Sequence, residues 1–296
     1  MDKVRKNKLA ILIFMLPATV LFLGIIIIPI FESAYFSFLE WDGINKSSFI
    51  GVQNYIELFT SKQDNVLMTI KNAFLLALLS VFIQLPLALG LALLISRKVK
   101  GERFFITVYF IPVLLSTVVI GQLFNKFYYP TNSGLLNMVL TKLSILDKPQ
   151  AWAGSDKTAL AAVFVPQLWQ FVGYHMLLMY AGVKSVSPDV IEAATIDGAT
   201  DWQISSKIII PLLKPVIKIC VIFAVTGSLK AYDIVFVMTK GNYGSEVPST
   251  LMVKQTFDHG RYGYGSSVAM IIIFLCFFFA ILIKKCFKTE DYSDEK

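Results

Sequence analysis

Six stretches of the chain are dominated by apolar residues, over residues 9–31, 69–96, 104–128, 158–181, 212–236 and 266–283. Each has at least the roughly 17 to 20 residues that a helix needs to cross the hydrocarbon of a bilayer. Apolar side chains surround these blocks instead of recurring on one helical face, so the pattern predicts membrane spans and not amphipathic surface helices. The fold class that follows is all-α: a polytopic membrane protein with six transmembrane helices, read as one domain over residues 1–296. Pro86, Pro112 and Pro166 fall inside spans two, three and four, where each frees a carbonyl and bends the helix, as a packing kink or a gating hinge would require.

Composition strengthens the membrane reading. Hydrophobic residues make up 56% of the chain and charged ones only 16%, with a mean hydropathy of +0.66, whereas a soluble domain carries about a quarter charged residues. The first span follows Lys3, Arg5, Lys6 and Lys8 as a secretory signal would, but it is long and no small-x-small cleavage site follows, so it reads as a retained helix.

The net charge of +7 would suggest nucleic acid in a soluble protein; in a membrane chain it reports topology, and no nucleic-acid partner is expected. With the N-terminus inside, four inner segments carry four basic residues each: Lys3, Arg5, Lys6 and Lys8; Arg97, Lys98, Lys100 and Arg103; Lys184, Lys207, Lys214 and Lys218; Lys284, Lys285, Lys288 and Lys296. The outer segments hold eight, so both termini are expected in the cytoplasm. The outer loops are long and rich in aromatics such as Trp41, Tyr55, Trp152 and Tyr243.

Catalytic raw material is scarce. Cys220, Cys276 and Cys286 fit no disulfide framework or Cys-x-x-Cys metal site. The two histidines, His175 and His259, form no His-Glu-x-x-His motif, and neither a Gly-x-Ser-x-Gly elbow nor a nucleotide-binding Gly-x-x-x-x-Gly-Lys-Ser/Thr loop occurs. The chain is not expected to be an enzyme or to hold a cofactor. If ATP drives it, another chain binds the ATP.

Two kinds of candidate site remain. In span four, Gln167, Gln170, Tyr174 and His175 form a polar stripe on an apolar helix, and in span five Lys230 and Asp233, three apart, are a natural i,i+3 pair. Either group suits a solute pathway or contacts between helices, for sugars and neighbouring helices use the same hydrogen-bonding groups. The second site is the inner loop 182–211. Ser187 is an N-cap, Pro188 and Asp189 suit a first turn, Gly198 ends the helix, and Thr200 with Gln203 has capping-box spacing. The loop is therefore predicted as two short helices around a Gly turn, fit to dock a protein or to lie on lipid.

Glu192-Ala193-Ala194, Asp197-Gly198 and the later Ile208-Ile209-Ile210-Pro211 resemble the EAA loop of binding-protein-dependent ABC importer permeases, with Ile210 where that family usually has Leu. Asp197-Gly198-Ala199 and Pro215 are similar to the carbohydrate branch, which includes the maltose, multiple-sugar and glycerol-3-phosphate permeases. Gly51-Val52-Gln53-Asn54-Tyr55, Gly134-Leu135-Leu136-Asn137 and Tyr232-Asp233-Ile234-Val235 with Thr239 extend the likeness, although Lys240-Gly241-Asn242-Tyr243-Gly244 replaces the family's Gly run. The resemblance implies the ABC importer permease fold and a bacterial cell (inner) membrane location. It implies a second homologous permease subunit, two cytosolic ATPase subunits that use the ATP, an extracellular or periplasmic solute-binding protein, a carbohydrate solute and alternating access. It also implies that Glu192, Ala193, Ala194, Asp197, Gly198, Ile208 and Pro211 couple this chain to its ATPase. The competing reading is an ion- or proton-coupled secondary transporter using His175 or Asp233, which would not need that loop.

Overall fold

The computed structural model describes residues 8–97 and 99–287, with the side chains of residues 8–10 left undescribed. Of the basic residues used to predict topology, Lys3, Arg5, Lys6, Lys98, Lys288 and Lys296 lie outside the described residues.

In chain order the helices are α1 (Ile11–Phe36), α2 (Gln53–Thr60), α3 (Val66–Ile95), α4 (Glu102–Leu114), α5 (Thr117–Phe127), α6 (Leu135–Lys142) and α7 (Ala159–Lys184). They continue with α8 (Pro188–Ile196), α9 (Asp201–Leu212), α10 (Lys214–Leu229), α11 (Asp233–Thr239), α12 (Pro248–Val253) and α13 (Tyr262–Cys286). Strands β1 (Leu39–Glu40) and β2 (Ser48–Phe49) form one antiparallel pair.

The all-α class holds, but the six predicted spans are not six straight helices. Among the described residues α1, α3 and α13 are long and apolar enough to cross a membrane, and the number rises to five if each bent pair is one crossing. The third predicted span breaks by 95° between α4 and α5, and the fifth is reached through a 69° bend between α9 and α10. Pro112 lies one turn before the first break, and the Leu115 N–H donates to its carbonyl at 3.3 Å. Helix α7 has the length, 26 residues, but its polar stripe places it outside the set of most apolar helices.

Three π-turns precede a proline. Leu23–Ile27, Ser80–Gln84 and Ser205–Ile209 each end two residues before Pro29, Pro86 and Pro211, and the residue between donates five residues back, as Leu85 does to the Ser80 carbonyl. A proline ring clashes with the carbonyl four residues earlier and supplies no N–H. Widening the ladder by one residue accommodates it.

The described chain divides into two compact units. One takes the residues up to Asn65 with Leu251–Ile271. In it, no apolar residue of α1 is fully buried, with Phe14 80% and Phe31 71% exposed. The buried Asn54 of α2 donates to the carbonyls of Ser37 and Leu39 at 2.9 and 2.8 Å and so fixes the short hairpin. Gly263 lies so close under Leu39 that an added Cβ would be 1.9 Å from its carbonyl oxygen.

The other unit takes Val66–Thr250 and the chain from Ile272, and α7 is its hub, packed against α3, α4, α5, α10 and α11. Small residues bring the backbones together: Ala73, Ala77, Ala88 and Ala92 of α3 are all buried. Gly173 of α7 is the closest case, because an added Cβ would be 1.8 Å from the Tyr109 carbonyl oxygen of α4. Buried Asn137 ties the segment after α6, donating to the carbonyls of Tyr129 and Gln150 and accepting from the Gln150 N–H and the Trp152 indole at 2.9 to 3.0 Å.

Candidate functional site

The loop 185–212 folds as its sequence predicts. The Ser187 hydroxyl accepts from the Asp189 N–H, Pro188 starts α8, and Gly198 turns the chain at φ +80°. Thr200 and Gln203 complete a reciprocal capping box at the start of α9. Hydrogen bonds local to the loop thus define its two helices and their turn. Ile191, Ala194 and Ala199 pack inward on the core, while Glu192, Ala193, Asp197, Gly198 and Pro211 are exposed and Ile208 is half-buried. Two large apolar side chains also point outward, Ile196 at 86% and Trp202 at 74% exposure.

The loop is anchored to the segment after α3. Arg97 meets Asp201 at 3.1 Å and donates to the Ser205 hydroxyl at 3.3 Å. Lys184, at the end of α7, pairs with Glu102 at 2.9 Å and donates to the Ser96 carbonyl at 3.2 Å, and Tyr180 donates to Glu102. Glu192 lines a neighbouring cavity of about 450 Å³ and makes no ion pair among the described residues.

The second candidate is a cavity of about 400 Å³ between α3, α4, α7 and α10. It brings together three of the four stripe residues, Gln167, Tyr174 and His175, with Ser80 and Gln84 from the π-turn of α3, Phe171, Phe223 and Lys230. Three of these buried side chains keep a polar atom without any hydrogen bond: Gln84 Nε2, Gln167 Oε1 and His175 Nδ1. An unsatisfied buried polar group costs about 1 to 3 kcal/mol, so such a cluster marks a place built to receive something polar. The Ser80 hydroxyl meets that of Ser228 at 3.3 Å beneath it.

Two predicted members do not belong. Gln170 donates to the Leu115 carbonyl at 3.3 Å and to the Thr117 hydroxyl at 3.2 Å, capping the break between α4 and α5. Lys230 and Asp233 form no i,i+3 pair, because α10 stops at Leu229 and the chain leaves the helix before Asp233 opens α11. The Ala231 N–H already donates three residues back, to Ser228 at 3.2 Å, and Tyr232 has φ −134°. Lys230 faces the cavity and Asp233 does not line it.

Gln84 and Ser80 join the site through the π-turn, whose sequence signal is the proline two residues after Gln84. π-turns frequently sit at functional sites.

The model of the binding-protein-dependent transport system inner membrane component matches residues 84–285. The chain belongs to that family. A probable ABC transporter permease protein of Bacillus subtilis, YurN, is 34% identical over 97% of this chain and 98% of its own length. The trehalose/maltose transport system permease protein MalF of Thermococcus litoralis is 28% identical over 96% of this chain and 95% of its own. A chain of a bacterial ABC transporter involved in importing the acidic polysaccharide alginate has the same fold, with a TM-score of 0.83 at 20% identity over 97% of both chains. The chain is therefore a multi-pass membrane permease of the ABC importer fold, and the matched segment contains both the loop and the stripe of α7.

Proposed function

We propose that this chain is one of two permease subunits of a bacterial importer that moves a saccharide across the cell membrane, receives it from a solute-binding protein outside, and is driven by two ATPase subunits in the cytosol. The cavity between α3, α4, α7 and α10 carries the solute reading: amide and imidazole atoms without partners stand beside Phe171, Tyr174 and Phe223, the mixture of hydrogen-bonding and stacking groups that a sugar ring needs. The names of relatives support it, for they include permeases for trehalose/maltose, starch degradation products and xylose/arabinose.

The loop 185–212 serves as the coupling element. Glu192 meets a donor group of the ATPase, Ile196 and Trp202 enter its cleft, and the turn at Gly198 carries motion of the ATPase into α9 and α10. Alternating access follows when that motion opens the cavity to one side at a time, while ATP remains on the partner subunits. The geometry does not favour the proton-coupled alternative: among the lining residues His175 has no carboxylate beside it, and Asp233 lies outside.

The test is to express the chain with its second permease, ATPases and binding protein, purify the complex into lipid nanodiscs, and measure ATP hydrolysis. Expected are a stable assembly with ATPase stimulated by binding protein and saccharide, and labelling of Ser133→Cys but not Ser206→Cys by an impermeant thiol reagent in intact cells. Uptake by this chain alone, driven by a proton gradient, would overturn the reading.

A further inference from the structure

The cavity carries an unbalanced charge, the exposed Lys230, at one side of its lining. Ser80 stands midway along the thirty residues of α3, about 22 Å from either end at 1.5 Å per residue. Its hydroxyl touches Ser228, two residues before Lys230, so the lysine lines the cavity beside the middle of a helix long enough to span. Among the lining residues Lys230 is the only Lys, Arg, Asp or Glu. It forms no ion pair among the described residues, and Asp233 begins the next helix without reaching it. An ammonium group at membrane depth is costly and normally meets a partner or lines a solute path. Among the described residues no carboxylate balances it, while Gln84 Nε2 adds an unused donor on the facing helix.

We infer that the cavity takes an anionic saccharide, whose carboxylate or phosphate is met by Lys230 and whose hydroxyls and ring are met by Gln84, Gln167, His175 and the flanking Phe171 and Phe223. This inference rests on the reading of the cavity as the solute site and narrows the solute to a class. A charge-assisted hydrogen bond in a water-poor site is about twice as strong as a neutral one, so the anion is held by the lysine and the sugar by the amides and rings.

The experiment measures binding to the purified complex in nanodiscs, without the binding protein and at low salt, by calorimetry with two matched pairs: digalacturonate against galactobiose, and glucose 6-phosphate against glucose. In at least one pair the anionic member should bind about tenfold tighter or more, equivalent to about 1.4 kcal/mol. The ratio should fall to about one in Lys230→Gln and persist in Lys230→Arg. A ratio near one in the unaltered complex for both pairs, with the neutral sugars still bound, overturns the anionic class and leaves the solute cavity standing. A preference that survives in Lys230→Gln also overturns it, because the anion then sits elsewhere. If the ratio is near one and Lys230→Gln separates the two permeases while Lys230→Arg does not, the lysine serves a subunit contact and the inference falls. Binding of no member of either pair removes this inference and the solute-cavity reading together.

Discussion

The loop 185–212 and the cavity of α7 are incomplete in opposite ways. In the loop the backbone satisfies itself through Ser187, Thr200 and Gln203, and the side chains left over include two large apolar ones, Ile196 and Trp202, turned outward. In the cavity the helices pack closely enough for Gly173 to rest on the Tyr109 carbonyl, and the groups left over are polar: Gln84, Gln167 and His175. Apolar groups facing water and polar groups buried in a membrane protein are both unfavourable. On the proposed function, each region presents the surplus that its own partner removes, a protein surface in one case and a hydroxylated solute in the other.

The contrast can be broken most severely at Gly173. Gly173→Val should abolish transport and sharply reduce recovery of folded protein, because overpacking against a backbone carbonyl typically costs about 1 to 3 kcal/mol and here no side chain can move aside; size-exclusion yield and uptake in proteoliposomes measure it. Next come the loop variants. Glu192→Ala should weaken ATPase retention by about 2 to 5 kcal/mol if its carboxylate is buried on docking. Gly198→Val adds about 1 to 3 kcal/mol of strain at φ +80° and should uncouple ATP hydrolysis from transport. Both should insert normally into the membrane, and unchanged solute-stimulated hydrolysis in both would detach the loop from coupling. Trp202→Ser with Ile196→Ser should lower ATPase retention about tenfold without lowering the melting temperature of the isolated permease, as expected if these side chains pack on nothing within the chain.

The finest distinction lies within the stripe itself. Gln170→Leu leaves the Leu115 carbonyl and the Thr117 hydroxyl without their donor and should destabilise by about 1 to 3 kcal/mol, seen as a lower melting temperature. Gln167→Leu, like Gln170→Leu, removes an unsatisfied oxygen, but it breaks no such bonds and should leave stability unchanged or higher while transport falls. Equal thermal behaviour of the two would return both to one role.

The same contrast explains what the sequence discloses. Capping residues act over two or three positions, so Ser187, Gly198, Thr200 and Gln203 are legible in a line of letters, and the fold class follows from block length alone. The bends and the cavity depend on partners far along the chain. Gln170 is indistinguishable from Gln167 until the break at Leu115 is known, and the i,i+3 reading of Lys230 and Asp233 assumed a helix that ends at Leu229. Asn72, which donates to the Gly244 and Glu246 carbonyls at 2.8 Å, secures the loop that replaces the family's glycine run. A tie across more than 170 positions leaves no local signal.

The hub position of α7 has a consequence for synthesis. This helix enters the membrane after α1, α3 and α4, yet it is the element on which α3 and α4 pack. Its glutamines and histidine raise the cost of releasing it into lipid alone, since polar groups oppose insertion of a lone helix. Earlier helices therefore wait unpaired for a latecomer that itself depends on them, and assembly of this unit is a concerted event near the midpoint of translation. A chain stalled before residue 159 holds apolar spans without their organiser and is the natural substrate of membrane quality control.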